Sequence, residues 1–89
     1  MTIEELKNRL DNEKHLIDAY QEVVCGKKID APYILGIYKE DGISYIYHTK
    51  ERGGVVIIDQ GSEEEMTEAL YRRVVKNEKR YLKKLGIKK

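Results

Sequence analysis

The dipeptide Asp41-Gly42 constrains this chain more than any other feature, because two strand patterns flank it directly. YILGIYK precedes it and ISYIYHT follows, both rich in aromatic and β-branched residues. An Asp-Gly pair accepts the two positive φ angles of the tight turn that matches strand twist, so the segment reads as a two-residue β-hairpin. That turn fixes the register: Tyr38 faces Tyr45, Ile37 faces Ile46, Gly36 faces Tyr47 and Leu35 faces His48. Side chains alternate between sheet faces. One face then carries Ile34, Gly36, Tyr38, Tyr45, Tyr47 and Thr49, and the other carries Leu35, Ile37, Ile46 and His48.

The flanks supply a third strand and two helices. After the turn ERGG, the run VVIID is short and β-branched, and Gly53 or Gly54 supplies a positive φ. Thr2 with Glu5 forms a capping box ahead of Ile3, Leu6, Leu10, Ile17, Tyr20 and Val24, which share a helical face. Gly26 ends that helix, and KKIDAP connects it to the hairpin, with Pro32 favouring an extended Ala31. Ser62 with Glu65 opens a second helix whose side carries Met66, Leu70, Val74, Tyr81 and Leu85. Gly86 followed by Ile87 suits a left-handed helix ending, with Ile87 packing back on Leu82. The expected fold is therefore α+β: one domain over 1–89, ordered α-β-β-β-α. Its sheet is three-stranded and antiparallel, with both helices on the aliphatic face.

The 89 residues hold 7 tyrosines, no Trp and no Phe, and 37% of the chain is charged. The single cysteine, Cys25, excludes an internal disulfide and fits a reducing compartment. The acidic, amphipathic start is no signal peptide, and no apolar run reaches the length of a membrane span. The expected location is the cytoplasm. Net charge is +1, but it is unevenly spread. Residues 1–71 carry 8 basic against 15 acidic side chains, whereas residues 72–89 carry 9 against 1.

The tyrosine face, left open by the helices, offers rigid amphipathic contact area and suits recognition of a protein partner. Strand propensity, and aromatic covering of Gly36 by Tyr47, account for the same residues structurally. Glu51 and Arg52 have the same two readings: solvated tip residues, or a planar guanidinium presented on a rigid hairpin with its complement.

The run GIYKEDGISYIYHTKERGGVVIIDQGSEEEMTEAL resembles the immunity protein 59 family of bacterial polymorphic toxin systems. In that pattern a hairpin strand ends in a threonine, and an acidic pair with arginine and glycine follows. A hydrophobic strand and an acidic helix start come next. Thr49, Glu51, Arg52 and Gly53 match it, as do Ser62, Glu64 and Glu65. Lys50 departs from it, standing where an acidic residue is usual. The resemblance covers about residues 33–75. It implies a protein that binds and neutralises a cognate toxin encoded nearby, without catalysis and without a cofactor. The expected contact residues are Tyr38, Tyr45, Tyr47, Thr49, Glu51 and Arg52.

Nucleic-acid binding is the rival reading. It uses the sheet tyrosines for base stacking and Arg72, Arg73, Lys76, Lys79, Arg80 and Lys83 for phosphates. The α-β-β-β-α order is shared with the double-stranded RNA-binding domain, whose basic cluster opens the second helix. Here that helix opens on Ser-Glu-Glu-Glu, and the cations gather at its far end, where they complement the helix dipole. Nucleic acid is accordingly ranked second. An acidic body with a basic end also leaves room for a head-to-tail homodimer. Cys25, His15 and His48 form no nucleophile-base pair by local spacing, so no enzyme is expected. No spacing of metal-ligand type occurs.

Overall fold

The computed structural model describes residues 1–13, 22–84 and 86. Helix α1 spans Ile3–Glu13, followed by strands β1 (Glu22–Cys25), β2 (Ile34–Glu40), β3 (Ile43–Lys50) and β4 (Gly53–Gly61). Helix α2 spans Glu63–Lys84. The protein is α+β, but its sheet has four strands in the order β1-β2-β3-β4.

The hairpin forms in the expected register, from Leu35 opposite His48 to Glu40 opposite Ile43. Asp41 takes φ 52 and Gly42 φ 79, the paired left-handed conformation that a two-residue turn requires. β4 pairs antiparallel with β3. The aliphatic face also packs as expected: Leu35, Ile37 and Ile46 form the core with Leu6 of α1 and Met66, Leu70 and Val74 of α2. Both helices thus cover one face.

The expected three-stranded antiparallel sheet requires correction at β1. Glu22–Cys25, assigned by periodicity to the end of the first helix, is instead a strand parallel to β2, with Val23 beside Leu35 and Cys25 beside Ile37. Val23 and Cys25 pack on the core, which puts Val24 on the opposite face beside Gly36. Val23 and Val24 are β-branched and lose less side-chain freedom in a strand than in a helix. The described helix ends at Glu13. Ile17 and Tyr20, counted towards the longer helix, lie outside the described residues, as do His15, Leu85 and Ile87.

The first capping box forms in full, and in the second the Ser62 side chain caps while Glu65 holds the Ser62 hydroxyl rather than its amide. Thr2 N–H donates to Glu5 Oε1 and Glu5 N–H to Thr2 Oγ1, each at 3.1 Å. In α2, Glu65 N–H donates to Ser62 Oγ at 3.1 Å, while the Ser62 hydroxyl donates to Glu65 Oε1 at 3.0 Å. The two helix starts are tied together. Ile3 N–H donates to Glu63 Oε2 at 2.8 Å, and Lys39 Nζ reaches Glu63 Oε1 at 3.3 Å. The Ile3 amide in particular holds the Glu63 carboxyl below its ordinary pKa. The buried Thr67 hydroxyl donates among the carbonyls of Met1, Glu63 and Glu64, closing the same junction. At the other end of α2, Gly86 takes φ 76 and donates its N–H to Lys83 O at 3.1 Å.

Ser44 is fully buried, and its Oγ has no hydrogen-bond partner among the described residues. A buried unpaired hydroxyl is costly, and alanine retains its shape without the oxygen. Ser44→Ala is expected to stabilise the protein by about 1 kcal/mol, raising the thermal midpoint by roughly 4–8 °C. A midpoint lowered by the change would show that the hydroxyl is satisfied in solution.

Candidate functional site

A parallel neighbour cannot be reached by a tight turn, because the chain must return to the end where the first strand began. Between Cys25 and Ile34 that return is made by a short strap, residues 26–33, rather than by a helix. Hydrogen bonds place the strap across the tyrosine face. The Tyr47 hydroxyl donates to Lys27 O at 2.7 Å and accepts from Ile29 N–H at 3.0 Å. Gly26 N–H donates to Ile37 O at 2.8 Å where the strap leaves β1. Asp30 Oδ1 accepts from Gly54 N–H at 2.6 Å, pinning the middle of the strap to the start of β4. The strap rejoins β2 through Tyr33, a non-glycine residue at φ 58.

The tyrosine face is consequently divided. The helices leave it uncovered, as expected, but the strap takes the end that holds Gly36, Tyr47 and Thr49. Tyr47 is 0% exposed, and burial pushes its phenol above the ordinary pKa while the Ile29 amide pulls the other way. Thr49 is buried too, its Oγ1 accepting from Ile34 N–H at 2.7 Å. Both side chains serve the fold. The expected contact set is corrected in these two places, since an outside partner meets neither.

Tyr38 and Tyr45 occupy the other end and remain half-exposed. Their rings stack at 5.1 Å with 21° between planes, and Tyr47 closes edge-on against Tyr38 at 5.7 Å. Lys28 of the strap sits 5.4 Å above the Tyr38 ring, a cation over an aromatic face. Ile57, opposite Tyr47 on β4, is 41% exposed and extends this patch towards the sheet edge. The stacked pair is thus backed by a third, buried ring.

Glu51 and Arg52 are the two tip residues of the β3-β4 hairpin, between the paired Lys50 and Gly53, and both are exposed. Gly53 at φ 84 and Gly54 at φ 95 complete the turn, with a register shift that the extra glycine absorbs. Among the described residues neither charge has an ion-pair partner. The tip lies at the opposite end of β3 from Tyr45. Five residues of strand, about 17 Å, separate them, and the strap stands between.

The basic residues of the rival reading lie on α2. Arg72, Arg73, Lys76, Lys79, Arg80 and Lys83 are all exposed or partly exposed. Tyr71, Arg72, Val75, Lys76 and Lys79 line a shallow hollow of about 250 Å³. Tyr71 itself is engaged: the Arg9 guanidinium stacks 4.0 Å above its ring and its hydroxyl donates to Glu13. α2 packs on the aliphatic face, so the basic stripe and the sheet tyrosines face opposite ways. The composite nucleic-acid surface expected from those two groups does not assemble.

Cys25 faces the core from β1 rather than ending a helix, and burial pushes its thiol up to about 11. His48 is half-buried on the core face opposite Val56. No group of acidic, histidine and cysteine side chains that could hold a metal occurs among the described residues. No helix among them is long and apolar enough to cross a membrane.

The raised thiol pKa has a consequence for stability. The unfolded chain releases this proton near 9.0, whereas the native chain keeps it to about 11. Between those values the unfolded state binds fewer protons, so stability falls as pH rises, and below pH 9 this group contributes no slope. The expected loss is about 1–2 kcal/mol after allowing for partial exposure. Urea midpoints measured from pH 8 to 11 should show the fall in the wild type and a shallower one in Cys25→Ala. Parallel curves would place the thiol in water.

The sequence marks KKIDAP as a connector, but its path across the sheet and the role of Asp30 are not legible there. Two signals for β1 were present: adjacent Val23 and Val24, and the jump from Leu10 to Ile17 with no apolar residue on the helical face between them. The Asp30 contact has no local signal, because its partner Gly54 is far along the chain. Comparison with known proteins returned no matching family, no matching curated protein and no matching solved structure.

Proposed function

We propose that this chain is a protein-recognition domain, and specifically an immunity protein that binds and neutralises a toxin domain encoded beside it. The observation that carries the reading is the half-exposed, pre-stacked pair Tyr38–Tyr45, extended by exposed Ile57, on a sheet face that neither helix covers. Rigid aromatic surface loses little entropy on binding and is favoured at the centre of interfaces. The family resemblance around Thr49, Glu51, Arg52 and Gly53 supplies the partner class. In this reading Arg52 and Glu51 act as peripheral charged contacts that orient the toxin, and the protein works in the cytoplasm, where a free cysteine persists.

The test is capture of the toxin domain encoded immediately upstream by the tagged protein, at low and moderate salt. Capture that survives moderate salt supports the reading. Failure of capture, with RNA retained at low salt and released as salt rises, would move the function to α2. One observation favours that second reading. The six cations of α2 have no ion-pair partner among the described residues and repeat at three- and four-residue spacings, where like charges repel.

A further inference from the structure

β4 is an edge strand of the sheet, and its sequence GGVVIIDQG carries a single charge, on Asp59. The direction of its amides follows from the first hairpin. A two-residue turn closes on a hydrogen-bonded pair, here Glu40 and Ile43. Alternation along β3 then turns the amides of Tyr45 and Tyr47 towards β2, and those of Ser44, Ile46 and His48 towards β4, up to the irregularity at Thr49 and Lys50. Their β4 partners Gly61, Asp59 and Val56 point inward. Val55, Ile57 and Gln60 therefore point their backbone groups away from the sheet. The structure agrees at one of these positions: Gln60 N–H is taken by the Asp59 carboxylate at 2.9 Å. At the other end Asp30 takes the Gly54 amide. Between two carboxylate caps lies a short open window, Val55 to Ile57, with Ile57 exposed beside it.

We infer that this window pairs with the same window of a second copy of the chain, antiparallel and about a two-fold axis at Val56. Val55 meets the partner's Ile57, and each such pair exchanges both of its backbone hydrogen bonds, because both residues point outward. The β-branched side chains of the two copies meet on the tyrosine face, covering Ile57. The same register places Gly53 opposite the partner's Asp59, with Arg52 the next residue along. Each exposed guanidinium, without an ion-pair partner among the described residues, thus comes beside the partner's carboxylate, on both sides of the axis. That self-complementarity selects a second copy over an unrelated strand. The carboxylate caps keep the pairing short, so the contact belongs to the small, weak class of interfaces, with half-dimerisation near about 100 μM. This inference goes beyond the toxin-binding reading, and because the dimer covers Ile57 and engages Arg52, the two associations compete for those residues while Tyr38 and Tyr45 stay open.

Sedimentation velocity on the full chain, from about 10 μM to about 1 mM, tests it. The expected result is a mass rising from 10.4 kDa towards twice that value. Ile57→Lys, which puts a charge on the edge, should weaken association by at least about tenfold. Arg52→Asp and Asp59→Arg alter exposed side chains and should each weaken it, while the double reversal restores it. That restoration keeps the test decisive even if Ile57→Lys disturbs the fold. A monomer throughout the range overturns the inference. So does association indifferent to all three changes, which would place the contact elsewhere, such as between the basic end of α2 and an acidic helix start.

Discussion

Replacing Gly36 with alanine is expected to cost about 3 kcal/mol of stability, read as a lowered urea midpoint. A methyl group at this position would fall within the space that the Tyr47 ring and hydroxyl occupy. An exposed tyrosine would swing aside at little cost. Tyr47 cannot, because it is fully buried and its hydroxyl is held from both sides by the strap carbonyl of Lys27 and the strap amide of Ile29. Yielding therefore means lifting the strap, stripping two hydrogen bonds and exposing the ring. Tyr47→Phe is the matched control. It keeps the ring, leaves the two strap groups without the hydroxyl, and should cost less, about 1–2 kcal/mol. If Gly36→Ala proves as stable as the wild type, the ring does not cover the glycine in solution.

The second large effect concerns partner binding. On the proposed toxin-binding reading, Tyr38→Ala and Tyr45→Ala should each weaken capture of the toxin domain by at least about 2 kcal/mol, roughly thirtyfold in Kd. Because the rings stack on one another, removing either also frees the other, so the double variant should fall short of the sum. Arg52→Ala, remote from the rings and at the periphery, should cost about 1 kcal/mol and act mainly on the association rate. Calorimetric titration of the purified pair distinguishes the two ends of the surface. Full affinity in Tyr45→Ala together with lost affinity in Arg52→Ala would move the interface to the hairpin tip.

How far the sequence anticipates these features depends on how local their causes are. The Asp41-Gly42 turn, the Tyr38–Tyr45 pairing and both capping boxes are settled by residues within a few positions of each other, and all are legible. The face that packs on the helices is legible for the same reason, since strand alternation leaves Leu35, Ile37 and Ile46 together. β1 is not, because Glu22–Cys25 becomes a strand only by meeting β2, and helical spacing from Leu6 and Leu10 runs on to Val24 by coincidence. The division of the tyrosine face follows from that miss. Without β1 there is no parallel pair, and without a parallel pair nothing obliges residues 26–33 to cross the sheet. Tyr47 and Thr49 look like surface residues in the sequence and are interior ones in the fold. Arg52 and Glu51 read correctly as tip residues, but their distance from Tyr45 depends on which ends of β3 the two turns occupy.

The strap also bears on the order in which the molecule is expected to assemble. Strands β2, β3 and β4 form a meander whose contacts are close in sequence, and such contacts close early. β1 docks on the free edge of β2 only by drawing the strap across the sheet, and the strap's anchors, Tyr47 and Gly54, lie in the two hairpins. Contact order thus predicts that the parallel strand docks last and that its docking shuts the ring of Tyr47 away from water. On that order the meander alone would show three neighbouring tyrosine rings to its surroundings, and the finished fold only two.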